Sequence, residues 1–206
     1  MLAGAPRRLV RAGLGDALSR TTAQADWLLA HRLLGTAYDP APFALQAADE
    51  AIVLARAEQL AAGDRQAVAA LARLLILGGL GMLLAGSSAP ASQGEHLISH
   101  YVDTLAEPHP GTLHGEQVAV ATWTTARLQQ RMLASHEPPR LRPVPIDEAV
   151  LAQRFGRLAP DCRAALAAKP LDEASVARLQ TRLEEQWPSL RAELRAVMLP
   201  LDLLET

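Results

Sequence analysis

Aromatic side chains make up only 3% of the 206 residues, too few for the stacking platforms that hold single-stranded nucleic acids. Positive charge is not in excess either. A net charge of −2 and a sequence pI near 6.3 leave no basic footprint for a phosphate backbone. No nucleic-acid partner is expected. Cysteine occurs once, at Cys162. That excludes an internal disulfide framework and fits a reducing, cytoplasmic setting. The lone thiol reads as a small packed side chain rather than a nucleophile.

Long apolar runs are scarce. The N-terminal stretch carries Arg7, Arg8 and Arg11 with no uninterrupted apolar core behind them, so a signal peptide is not expected. The strongest run is Ala67 to Gly86. Arg73 interrupts it, and the clean part that follows, about 12 residues, falls short of the roughly 18 needed to span a bilayer. A buried helix is expected there, and no membrane span. Alternation of polar and apolar residues is missing as well, so no strand is predicted.

What is present is helical periodicity. Apolar residues recur at three and four, and the expected class is all-α, a helical bundle in one domain over residues 1–206. Helices are predicted from Leu14 to about Leu34, from Phe43 to Ala62, and from a cap at Asp64 to Ala85. The last of these, apolar nearly all round, is expected to be central. A fourth helix starts near Ser92 and ends before Pro108 and Pro110, and a fifth runs from His114 to about Ala134. Residues 1–12 read as a connection and 135–145 as a rigid, proline-rich linker. Residues 146–206 read as three short amphipathic helices, with a start signal at Asp172 and a division at Pro188.

Four of the six histidines fall between Gly94 and Val118. His96 and His100 stand four apart and share a helix face. His114 follows a proline-broken turn, so an antiparallel hairpin can return it to the level of His96. Neutral imidazoles suit zinc or iron, and catalytic sites of this kind use three protein ligands with one position open. A carboxylate from elsewhere is needed, and "AGLGD" offers Asp16. An aspartate in a first helical turn is usually a cap. Gly13 and Gly15 beside it allow a close backbone approach, which favours a site. At this level both His96 and His100 remain open as ligands.

The segments "AGLGD … ADW", "GSSAPASQGEHLISH" and "LHGEQVAVAT" together resemble the C-terminal, metal-binding half of the sn-glycerol-1-phosphate dehydrogenase family. That family lies in the iron-containing alcohol dehydrogenase and dehydroquinate synthase superfamily. The resemblance runs from Ala12 to about Ala134. It implies Asp16, His96 and His114 as ligands of a divalent metal, zinc or else iron or nickel, and counts the same three as catalytic. It leaves His100, with Asp16 and Ser88, to contact substrate. His31, His109 and His136 match no motif and are expected at the surface. Gln93 and Ala89 depart from the family loop, standing where a glycine and often an arginine occur.

The resemblance further implies reduction of dihydroxyacetone phosphate to sn-glycerol 1-phosphate, a step toward phospholipid biosynthesis. The metal would act as a Lewis acid and NADH or NADPH would give the hydride. Family members carry an α/β nucleotide-binding domain ahead of this half. No such domain is expected here, because Gly13-Leu14-Gly15 lacks the third glycine of a dinucleotide loop and no strand precedes it. The expected partners are a phosphorylated triose and a separate nucleotide-binding chain, with a homo-oligomer also allowed. Inactivity of the chain alone follows. Three alternatives stay open: a degenerate or repurposed metal-binding or interaction domain, a glycerol or polyol dehydrogenase-like half, and an unrelated helical phosphohydrolase. The last wants a His-Asp dipeptide, and the sequence has none.

Overall fold

The longest helix is not the most apolar one. In the computed structural model, which describes residues 4–169 and 172–198, α1 spans Arg7–Leu34. It begins seven residues before the expected start, because Arg7, Arg8 and Arg11 continue the helix on its exposed side. Asp16 therefore sits in the helix interior and is not an N-cap. The helices that follow are α2 (Ala41–Ala55), α3 (Ala57–Ala62) and α4 (Arg65–Ala85), then α5 (Gly94–Leu105) and α6 (His114–Ala134). The single helix expected over residues 43–62 is broken at Arg56, whose φ of −122° leaves the helical range.

No strand occurs among the described residues, and the all-α expectation holds. By contacts they form two compact units. The first comprises the described residues up to Ala134 with those from Ala192 on; the second is Ser135–Arg191.

In the first unit α1 packs along α6 and also touches α3, α4 and α5, while α2 packs on α4. The central helix is thus α1, although it buries Ser19, Arg20, Thr21 and Thr22. Each of these side chains is satisfied. Ser19, Thr21 and Thr22 donate to the carbonyls of Asp16, Leu18 and Ser19, and Arg20 pairs with Glu50. A helix read by apolar count alone is undervalued when its hydroxyls bond to its own backbone. One apolar cluster joins Val53, Leu60, Ala67, Val68, Ala70, Leu71 and Leu74, with Val10, Leu14 and Ala17 of α1 packed on it.

Helix α4 departs from expectation. Asp64 caps it by accepting from the Ala67 N–H, and its first half is buried. Its second half exposes Leu75, Ile76, Leu80, Leu83 and Leu84. By length and composition alone α4 could cross a membrane, and only a third of its apolar window is buried within the chain. Arg73 in that window pairs with Asp49 of α2 at 2.6 Å.

The second unit holds α7 (Glu148–Phe155), a short 3-10 turn (Gly156–Leu158) and α8 (Ala159–Ala167). Asp147 caps α7 through the Val150 N–H, and Cys162 is half-buried. Helix α9 (Glu173–Val197) starts after Asp172, which accepts from the Ser175 N–H as the sequence signalled. It does not stop at Pro188. Leu183, Trp187 and Leu190 are buried on both sides of the proline. Burying each is worth about 1.5–3 kcal/mol, which together outweighs the roughly 3 kcal/mol cost of an interior proline.

Candidate metal centre

Three helices deliver one side chain each to a common point. Asp16 comes from α1, His96 from the first turn of α5, and His114 opens α6. Glycines set the spacing between α1 and α6. A Cβ on Gly15 would lie 2.3 Å from the Gly115 carbonyl oxygen, and one on Gly115 would lie 1.9 Å from that of Ala12. Neither contact is tolerable, so the two backbones touch only because both residues are glycine. Asp16 and His114, the neighbours of these glycines, are thereby brought together. Gly13 has a different surrounding, since a Cβ there would meet the Leu75 side chain at 3.2 Å.

The start of α6 is fixed by Glu116. Its carboxylate accepts from the Leu113 N–H at 2.8 Å and pairs with Arg8 at 2.7 Å. These bonds hold its pKa down to about 2. This is half of a capping box and pins His114 at the first helical position. The start of α5 is held by Asp26, which accepts from the Gly94 N–H and from Gln129. Burial pushes the Asp26 carboxyl up, with those two bonds opposing it.

The resulting geometry suits a cation. Asp16 Oδ1 lies 3.5 Å from His96 Nε2 and 3.7 Å from His114 Nε2, and one ligand atom from each of the three residues falls within 4.8 Å of the others. These separations are long for N–H···O hydrogen bonds. They approach the edge of a tetrahedron about 3.3 Å long that zinc bonds of roughly 2.0–2.1 Å would define. Two imidazoles and a carboxylate therefore fit a divalent ion in both chemistry and spacing. Burial disfavours the His96 cation, but the carboxylates of Asp16 and Glu95 outweigh it and push its pKa up to about 9.

His100 is exposed, its ring 6.0 Å from that of His96 and 5.9 Å from that of His114, at the edge of the cluster. A cavity of about 290 Å³ opens beside the triad. Its walls include Asp16, His96 and His114, Ser19 and Ser92, and Leu74, Gly78 and Met82 of α4. Ser88 lies outside that lining, exposed in the turn after α4, where its carbonyl accepts from the Ala91 and Ser92 N–H groups. Gln93, in the position of the family glycine, bonds the Ala89 carbonyl through its side chain.

The remaining histidines stay outside the centre. His31 is half-buried with Nδ1 2.6 Å from the Thr36 carbonyl, and His136 is exposed. His109, expected to face solvent, is exposed but braces its loop by accepting from the Gly111 N–H and donating to Asp103. Hydrogen bonds from Gln117 and His109 hold the Asp103 carboxyl below the usual range.

Sequence reasoning passed over Glu95, Ser99 and Gln117. Glu95 is fully buried, with Oε1 2.9 Å from the Gln93 N–H and 3.0 Å from His96 Nδ1, and Oε2 3.2 Å from the Thr22 hydroxyl. Ser99 Oγ lies 3.3 Å from His114 Nδ1. The available signal was adjacency, since Glu95 precedes His96 and Ser99 follows one turn later. A glutamate in a first helical turn ordinarily reads as a dipole partner.

No family model matches the chain. Among curated proteins it is 45% identical over 123 residues to the glycerol-1-phosphate dehydrogenase (NAD(P)+) of Staphylothermus marinus, covering 59% of this chain and 34% of that protein. It is 41% identical over 128 residues to the protein of the same name from Pyrococcus furiosus and 40% identical over 128 residues to that of Haloquadratum walsbyi; each match covers 62% of this chain and 36% of the relative. The chain thus spans about a third of the length of the curated relatives it matches. The chain is therefore a homologue of the glycerol-1-phosphate dehydrogenases, matching a C-terminal half.

Proposed function

We propose that the chain is the metal-binding half of an NAD(P)-dependent sn-glycerol-1-phosphate dehydrogenase and reduces dihydroxyacetone phosphate only together with a nucleotide-binding body. The convergence of Asp16, His96 and His114 carries this reading. It gains weight from the 40–45% identity to proteins of that name.

Asp16, His96 and His114 would hold one divalent ion, zinc being the first choice for two imidazoles and a carboxylate. Bound there, the ion supplies a Lewis acid for a ketone oxygen. The chain's own residues do the rest. The three ligands leave the cavity side open. His100, whose ring stands beside those of His96 and His114, would hydrogen-bond a substrate oxygen, and the second carboxylate oxygen of Asp16 would take a substrate hydroxyl. Ser88 and Ser92, before the start of α5, offer hydroxyls to a phosphate near a helix N-terminus. Leu74, Leu75 and Met82 of α4 keep that side of the cavity apolar. Helix α4 in this reading is a wall of the site and not a membrane span.

The test is metal content followed by activity. Purified protein should carry about one zinc per chain, and Asp16→Ala or His96→Ala should release it. Equal metal content in wild type and variants removes the ligand assignment. With dihydroxyacetone phosphate the chain alone should leave NADH unoxidised, and adding the nucleotide-binding portion of a relative should start the reaction. Silence in the mixture, with metal retained, favours a repurposed metal-binding domain.

A further inference from the structure

Both imidazoles of the triad turn Nε2 toward Asp16, and in both the other nitrogen is engaged. For His96 the partner is Glu95, whose carboxylate can only accept, so the ring proton lies on Nδ1. For His114 the order of donors can be followed through four residues. The Gln117 amide nitrogen donates to Asp103 Oδ1 at 2.7 Å and to Thr112 Oγ1 at 3.1 Å, which fixes the amide with its oxygen toward Ser99. Ser99 has one hydroxyl hydrogen and gives it to Gln117 Oε1 at 3.0 Å. Its oxygen is left to accept, and the group in reach is His114 Nδ1 at 3.3 Å. Glu95 and Ser99 are both buried, so water does not compete at their own side-chain oxygens.

We infer that Glu95 on His96, and the relay Asp103–Gln117–Ser99 on His114, are positioning residues that lock both rings in the Nδ1–H tautomer and so present two Nε2 lone pairs to one cation. Second-layer partners of this kind commonly change metal affinity 10- to 100-fold. The inference rests on the metal reading above, and two separate measurements keep them apart.

The tautomer of each imidazole is read from ring ¹⁵N shifts of zinc-free protein in alkaline buffer, and zinc affinity from competition with a chromophoric chelator. Wild type should show the proton on Nδ1 of His96 and His114. Ser99→Ala, a small change in a buried serine, should shift His114 toward the Nε2–H tautomer and weaken zinc by about 10- to 100-fold. Ser99→Thr should restore both. Glu95→Gln should weaken zinc by about tenfold while His114 keeps its tautomer. A wild type with the proton on Nε2, or a folded Ser99→Ala with unchanged tautomer and zinc affinity, overturns the relay. If wild type takes up no zinc yet Ser99→Ala still moves the proton, the relay stands and the metal reading falls.

Discussion

Gly15 and Gly115 lie in backbone contact, with the Gly115 carbonyl oxygen 2.3 Å from where a Gly15 Cβ would sit. The obstacle is main chain, which cannot turn aside as a side chain can. Gly15→Ala is therefore expected to separate α1 from α6, costing about 3 kcal/mol or more, and to draw Asp16 away from His114. Thermal melting should record the loss of stability. Zinc titration should record the loss of the site in whatever protein still folds. A Gly15→Ala protein of wild-type stability and metal affinity would refute the role of this contact.

Metal uptake should depend on pH in a defined direction. In the metal-free protein the His96 pKa stands at about 9, so a proton occupies its ring at neutral pH and must leave when an ion arrives. Affinity should rise by up to about tenfold per pH unit between the ordinary histidine value near 6.5 and about 9, then level off. Calorimetry in buffers of different ionisation enthalpy should register about one proton released per ion at neutral pH. Without metal the sign reverses. A folded pKa raised above its unfolded value stabilises the fold below about 6.5, and that contribution is lost as pH climbs through about 9. Chelated protein should lose melting temperature over the same window.

In the proposed function His100 contacts substrate and is no metal ligand, and one variant tests both. Its ring stands near both ligand rings but belongs to neither first-turn position. His100→Ala should retain zinc at the wild-type level while weakening dihydroxyacetone phosphate about tenfold, as expected for losing one hydrogen bond to a charged or polar ligand. Loss of zinc in this variant would make His100 a ligand instead.

Pro188 offers a gain of stability. It is exposed within α9, and its ring denies the helix one hydrogen bond. Pro188→Ala should raise the melting temperature, with a benefit of about 1–3 kcal/mol. An unchanged or lower melting temperature would mean that Pro188 is required for the burial of Trp187.

Much of the site was legible because its residues sit in short, ordered motifs. His96 and His100 four apart, and His114 after the proline turn, predict one face and a returning hairpin, and the structure has both. The position of Asp16 was misjudged, since arginines at 7, 8 and 11 gave no apolar stripe by which to see α1 extend past them. The buried hydroxyls of Ser19, Thr21 and Thr22 hid the centrality of α1 for a similar reason, because a pattern of polarity does not report hydrogen bonds made to the helix's own carbonyls. Pro188 misled in the opposite sense. A local breaker was overruled by burial spread along Leu183, Trp187 and Leu190, which no single residue announces.

The bare aliphatic row on α4 governs how the protein behaves in the tube. Leu83 and Leu84 alone are 78% and 66% exposed, one turn from Leu80 and two from Ile76. Water in contact with such a row is displaced at a gain of about 25 cal/mol per Å², so concentrated samples should be adhesive, clinging to hydrophobic resins and to each other. A mild detergent, or Leu83→Glu with Leu84→Lys, is the practical remedy for anyone preparing it for study.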